Sequence, residues 1–170
     1  MTAYAVKLAT IEDLPELAEI FNLYRVFYGQ DSNVEQASRF LFERFEHRES
    51  VVFIARDHDM KEIAGFTQLY PSFSSISMER TYILNDLFVR SEHRKQGIGQ
   101  LLLKAAEKYA HQMNAKGLGL STAIDNEQAQ RLYERNGFDR DEEYFHYFLR
   151  LGDKGKANRS RPGMNRASTK

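Results

Sequence analysis

Residues 81–102, TYILNDLFVRSEHRKQGIGQLL, constrain the fold more than any other stretch of this chain. The first nine, TYILNDLFV, are rich in β-branched and aromatic side chains and read as a strand. After a basic loop, Ile98, Leu101, Leu102, Ala105, Tyr109 and Met113 fall at helical spacing. That spacing predicts a helix over 97–114 with one buried face. The sequence Arg94-Lys95-Gln96-Gly97-Ile98-Gly99 therefore stands between a strand and the start of a helix.

The first turn of a helix exposes N–H groups with no partner and carries the positive end of the helix dipole. Glycines there remove side chains that would keep an anion from the backbone, and Arg94 and Lys95 add charge. These features describe a phosphate or pyrophosphate cradle. On the glycine pair alone, a plain strand-to-helix turn with solvated basic residues is the stronger reading. The nucleotide-triphosphate loop G-x-x-x-x-G-K-[ST] is absent, and a dinucleotide fingerprint would need glycine where Leu102 stands.

Elsewhere the pattern predicts a strand at 5–9 and two helices on either side of Gly29–Asn33. The first helix carries Leu14, Leu17, Ala18, Phe21 and Phe27, and the second Ala37, Phe40, Leu41 and Phe45, with Thr10 or Asp13 able to cap the first. A hairpin of strands 51–55 and 63–70 follows, with 71–77 as a loop. A strand at 118–122, a helix from Asn126 to Asn136 stopped by Gly137, and an aromatic strand at 143–151 complete the chain. The order β-α-α-β-β-β-α-β-α-β predicts an α/β fold: a central mixed, twisted sheet with helices on both faces.

The single domain is expected to end near residue 152. The stretch 153–170 carries six Lys/Arg against one Asp and lacks apolar periodicity, so it reads as a basic, disordered tail. The other 152 residues then hold 18 Lys/Arg and 23 Asp/Glu, a net of −5. An acidic body speaks against nucleic acid and for a cationic small ligand. There is no cysteine, which excludes disulfides, a thiol nucleophile and a thiolate metal site. The five histidines, 47, 58, 93, 111 and 146, show no metal-ligand spacing, so no metal is expected. No apolar run is long enough for a membrane span and no signal peptide is evident; a cytoplasmic protein is expected.

The strand followed by R-x-x-G-x-G (Arg94, Gly97, Gly99) and a helix resembles the acetyl-CoA signature of the GNAT superfamily of N-acetyltransferases. NEQAQRLYERNGF (126–138) resembles that family's second motif, about thirty residues on, and the element order matches the family fold over roughly residues 4–151. YILNDLFV and FNLYRVFYG look closest to the branch of histone-, polyamine- and diamine-acetylating members.

The resemblance implies roles. The strand before the loop splays from its neighbour at a bulge in this family, and its freed backbone, here Leu87, Phe88 and Val89, binds the pantetheine arm. Arg94, Lys95, Gln96, Gly97, Ile98 and Gly99, with Gln100, would bind the pyrophosphate of acetyl-CoA. Asn126 would touch the pantetheine or acetyl end, and Tyr133 would protonate the departing thiolate. The branch often has two adjacent acids in the strand; here they read Asn85-Asp86. Asp86 is the candidate base, with a hydrogen-bonded structural acid as the equal alternative. Strand alternation would place it opposite Asn85. Glu79, Tyr28 or a water chain could replace it. Tyr24, Phe27, Tyr28, Asn85, Tyr70, Phe73 and Tyr147 are candidate linings of an acceptor pocket, and His146 reads as a structural histidine.

The leading reading is direct acetyl transfer from acetyl-CoA, as co-substrate, to a primary amine: a polyamine-like amine, an amino acid, or a protein lysine or N-terminus. The competitor is a non-catalytic acyl-CoA-binding module, favoured by Asn85 and opposed by Tyr133. A tail-driven nucleic-acid binder is opposed by the acidic body and by the lack of any reading motif. No membrane partner is expected, and a homodimer is compatible with the sequence.

Overall fold

The computed structural model describes residues 3–59 and 62–152. The expected tail at 153–170 lies outside the described residues. The elements are β1 (Tyr4–Leu8), α1 (Leu14–Phe27), α2 (Val34–Glu46), β2 (Val51–Asp57), β3 (Ile63–Ser74), β4 (Glu79–Val89), α3 (Ile98–Gln112), β5 (Leu118–Gly119) and α4 (Glu127–Arg135). The strands form one sheet in the order β1-β2-β3-β4-β5, antiparallel throughout except for the parallel pair β4 and β5. This is the mixed α/β sheet the sequence predicts.

Two cores lie on its two faces. On one, Leu17, Ile20 and Phe21 of α1 and Leu41 of α2 pack against Val52, Ile54, Phe66 and Phe88. On the other, Ile98, Leu102 and Ala106 of α3 and Leu132 and Tyr133 of α4 pack against Leu69, Leu84, Leu87 and Val89. Fully burying a side chain such as Leu102 contributes about 1.5–3 kcal/mol. The α3 helix approaches so closely that a Cβ on Gly65 of β3 would lie 2.9 Å from Phe88 O and 3.1 Å from Ile98 Cγ2. Only glycine fits there. Among the described residues no helix is long and apolar enough to cross a membrane.

Several expectations are corrected. The 71–77 loop is half strand: β3 runs to Ser74 and turns over 75–78. Pro71 is tolerated because β2 pairs only as far as Leu69, so the missing N–H breaks no bond on that side. The buried face of α3 is rotated: Leu103, Ala106 and Ala110 join Ile98 and Leu102, while Met113 is exposed. The strand expected at 118–122 holds only two paired residues. The strand expected at 143–151 is unpaired, and every residue in it is exposed. Tyr147 is 88% exposed and Phe73 69%, and His146 is exposed.

Candidate active site

On its β5 side, strand β4 runs on unpaired where β5 stops. Its pairing with β5 covers Tyr82 and Ile83 only, whereas β4 runs on to Val89. Arg90 N–H donates to Ala64 O across β3, at 2.9 Å. Partners alternate along an antiparallel ladder, so Phe88 and Asp86 also turn their backbone to β3, and Leu87 and Val89 turn theirs to the gap. The register shifts between Gln68 and Leu69, which face Asp86 and Leu84, leaving Asn85 as a bulged residue. The bulge undoes simple alternation. Asn85 Nδ2 donates to Asp86 Oδ1 at 3.0 Å, so the two side chains meet instead of standing on opposite faces.

Beyond the open strand end lies the glycine loop. Gly97 caps α3 with φ +80°, a left-handed conformation that favours glycine. The N–H groups of Ile98, Gly99 and Gln100 precede the first helical bond, from Leu101 N–H to Gly97 O at 3.1 Å. They face a cleft of about 150 Å³ walled by Val89, Arg94, Lys95 and Gly97–Gln100 on one side and by Gln128, Leu132 and Arg135 of α4 on the other. The two sequence motifs are joined directly: Gln100 Nε2 donates to Asn136 Oδ1 at 2.7 Å, and Asn136 Nδ2 donates to Gln100 Oε1 at 2.9 Å. A neighbouring groove brings Lys95 together with Gln128, Arg131, Glu134 and Arg135. Gln128, Arg131 and Arg135 were missed in the sequence, although Arg131 and Arg135 stand one turn apart on a helix already placed beside the loop.

Arg94 is turned inward. Its Nε donates to Val89 O at 3.0 Å, and its guanidinium lies 5.5 Å from the Phe27 ring centre and 5.7 Å from that of Phe88. It therefore braces the strand end and ties it to the end of α1. Gln96 is held from behind, by Tyr4 Oη donating to its Oε1 at 2.7 Å, and the same hydroxyl lies 3.0 Å from His93 Nδ1. Glu62, Glu92 and His93 converge closely enough to ligate a cation, a juxtaposition their spacing in sequence conceals. His93 Nε2 already lies 2.8 Å from Glu62 Oε1.

Tyr133 is almost fully buried in the same cluster as Leu87 and Val89, with its ring edge-on to Phe138. Its hydroxyl is buried and has no hydrogen-bond partner among the described residues. Burial, followed by the nearby Tyr28, raises its pKa well above the ordinary phenol value, so it keeps its proton. Asn126 caps α4, its Oδ1 accepting from Ala129 N–H at 3.2 Å.

Asp86 is buried, at 3% exposure. Burial pushes its carboxyl upward, and hydrogen bonds from Gln68, Tyr24 and Asn85 offset part of that rise. Its partners Tyr24 and Asn85 are each partly exposed. Tyr24 packs edge-on against Tyr28 at 5.0 Å, and Tyr70 accepts from Gln68 Nε2 at 3.2 Å. Of the expected pocket linings, the structure brings Tyr24, Tyr70 and Asn85 around Asp86, packs Tyr28 on Tyr24, sets Phe27 against Arg94, and leaves Tyr147 and Phe73 exposed.

The GNAT acetyltransferase family matches residues 16–138. The chain belongs to that family. It is 47% identical over 146 residues to an uncharacterized N-acetyltransferase of Bacillus subtilis, covering 86% of this chain and 97% of that one. The crystal structure of a probable acetyltransferase, 41% identical, superposes with a TM-score of 0.83 over 88% of this chain and 99% of that one. A Clostridium acetobutylicum acetyltransferase solved with acetyl-CoA shares the fold at TM-score 0.69 and 16% identity, over 86% of this chain and 96% of that one. This chain is thus an acetyl-CoA-dependent acetyltransferase, and nothing supports the alternative of a non-catalytic module.

Proposed function

We propose that this GNAT enzyme transfers acetyl directly from acetyl-CoA to a primary amine, with Tyr133 as the proton donor to the departing thiolate. The observation that carries the reading is the buried Tyr133 hydroxyl, which has no partner among the described residues and packs beside the open end of β4. A buried hydroxyl without a partner costs about 1–3 kcal/mol. A thioester sulfur delivered beside Leu87 and Val89 gives it one.

The pantetheine arm binds along the gap side of Leu87 and Val89. The pyrophosphate sits at Gly97–Gln100, where free N–H groups and the helix dipole favour an anion. Lys95, Arg131 and Arg135 supply cationic charge to the nucleotide end. Asn126 fixes the start of α4 and so the height of Tyr133. The amine nitrogen attacks the thioester carbonyl, forming the C–N bond. A backbone N–H of the open strand stabilises the oxyanion. The C–S bond then breaks and the thiolate takes the Tyr133 proton.

The acceptor is held by the aromatic and acidic cluster. Tyr24, Tyr28 and Tyr70 present ring faces to an ammonium, which cation–π attraction favours, and Asp86 behind them adds negative charge. Asp86 acts as base through Tyr24: the amine proton passes to the Tyr24 oxygen as Tyr24 gives its own to Asp86. The raised Asp86 pKa suits that task.

The test is an acetyl-CoA turnover screen over polyamines, amino acids, aminoglycosides and lysine peptides. The reading expects amine-dependent release of CoA and an N-acetylated product. Acetyl transfer to hydroxyl acceptors alone, or hydrolysis indifferent to amines, would overturn it.

A further inference from the structure

His93 is a buried titratable side chain, at 7% exposure, that the acetyl-transfer steps do not use. It stands in the turn between β4 and the glycine loop. The spacing of the histidines predicts no metal site. The fold nevertheless brings His93 and its neighbour Glu92 together with Glu62, which immediately precedes β3.

The hydrogen bonds around the ring set where its proton sits. Gln96 Nε2 donates to the Glu92 carbonyl at 3.3 Å, so Gln96 Oε1 is the atom that faces Tyr4. The Tyr4 hydroxyl gives its one proton to that oxygen, at 2.7 Å, and so accepts from His93 Nδ1–H at 3.0 Å. A neutral imidazole carries one N–H. Its Nε2 is then a bare lone pair, and it lies 2.8 Å from Glu62 Oε1, itself an acceptor. Two acceptors hold that distance only with positive charge between them, either a second ring proton or a metal ion.

The surroundings favour the ion. A second ring proton would serve Glu62 alone, whereas ligand atoms of Glu62, Glu92 and His93 all lie within 4.8 Å of one another. Asp57 Oδ2 stands 3.9 Å from Nδ1, so three carboxylates surround one imidazole, and Arg90 offsets only part of their charge. A histidine that ligates metal through one nitrogen almost always donates its other N–H to a fixed oxygen. Tyr4 is that oxygen here. Ligand distances of about 2.0–2.2 Å place adjacent donors roughly 3 Å apart, close to the 2.8 Å between His93 Nε2 and Glu62 Oε1. Glu92 is exposed, so its carboxylate can swing onto an ion arriving from solvent.

We propose that Glu62, Glu92 and His93 form a binding site for a divalent transition-metal ion at the base of the glycine loop. One imidazole and two carboxylates without sulfur suit zinc, with water in the remaining position. The ion takes no part in acetyl transfer. It ties the start of β3 to the residues before Arg94 and, through Tyr4 and Gln96, braces the loop that ends at Gly99.

The chain has no cysteine, so no thiolate competes for the metal. The test uses the full untagged chain, stripped with chelator, and zinc chloride as the probe. Calorimetric titration should give one zinc per chain, and zinc should raise the thermal midpoint until chelator is added. Nitrogen NMR of the histidine rings should show His93 protonated at Nδ1, with its Nε2 resonance moved by stoichiometric zinc. X-ray absorption at the zinc edge should show a nitrogen and oxygen shell with one imidazole. Tyr4→Phe keeps the ring but removes the orienting oxygen, and should weaken zinc about 10–100-fold. Glu92→Gln, at an exposed position, should weaken it at least as much while leaving the metal-free midpoint unchanged. A His93 ring that carries both protons and ignores stoichiometric zinc would overturn the site. Zinc binding undiminished in Glu92→Gln would also do so, by assigning the metal to other histidines.

Discussion

Tyr133→Phe separates chemistry from packing at one atom. The ring remains to pack with Leu132 and edge-on to Phe138, whose centre lies 5.7 Å away. The hydroxyl it loses makes no hydrogen bond among the described residues. Removing an unsatisfied buried hydroxyl relieves about 1–3 kcal/mol of desolvation, so the unliganded variant should be as stable as the native protein or more so. Turnover should move the other way, because a positioned proton donor contributes about 10²-fold or more. The loss should appear in kcat and kcat/KM together, as for a contact made mainly in the transition state. Native Tyr133 stays protonated across the working range, so its removal should not shift the pH profile. Chemical denaturation and single-turnover kinetics on the same preparation read both effects. A variant that is destabilised yet turns over at the native rate would refute the reasoning and leave Tyr133 a packing residue.

Gly97→Glu should abolish thermal stabilisation by acetyl-CoA: the residue sits at φ +80° with open space around its Cβ, so the fold pays only a backbone strain of about 1–2 kcal/mol while the carboxylate repels the anion. Gly65→Ala should destabilise by about 1–3 kcal/mol in urea, since its methyl would press on Phe88 O and Ile98. Asp13 gives a pH test: burial pushes its carboxyl up, but hydrogen bonds from Thr10 N–H, Lys7 and Arg56 outweigh that and hold it below the usual carboxylate range. Its stabilisation is therefore present above the unfolded carboxylate pKa and is lost as pH falls through the lower folded value. Asp13→Asn should flatten that acid limb of the stability curve.

The local chemistry of the chain was legible because it is local. Strand β4, the glycine loop, α3 and α4 announce themselves through periodicity, caps and two glycines, and Gly137 follows α4 at φ +83° as its position implied. What escaped depends on neighbours. The bulge at Asn85 arises from the register of β3 against β4, which no feature of YILNDLFV encodes, and it reverses the predicted separation of Asn85 from Asp86. Pro71 reads as a loop residue until the end of β2 is known. The groove that gathers Lys95, Arg131 and Arg135 with Glu134 depends on the packing of α3 against α4, which Gln100 and Asn136 also tie together. The aromatic run at 143–151 has the pattern of a strand, but a strand is a relation between two segments, and among the described residues it pairs with none.

Amide hydrogen exchange with and without acetyl-CoA tests the central claim most directly, because the proposed contacts are backbone contacts. The N–H groups of Leu87 and Val89 face the gap, and those of Ile98, Gly99 and Gln100 precede the first helical bond of α3. These five amides should gain protection on binding, while that of Phe88, already directed to β3, should change little. Protection confined to other parts of the sheet, or none at Leu87 and Val89 at saturating acetyl-CoA, would contradict the placement of the co-substrate and the role of Tyr133 that depends on it.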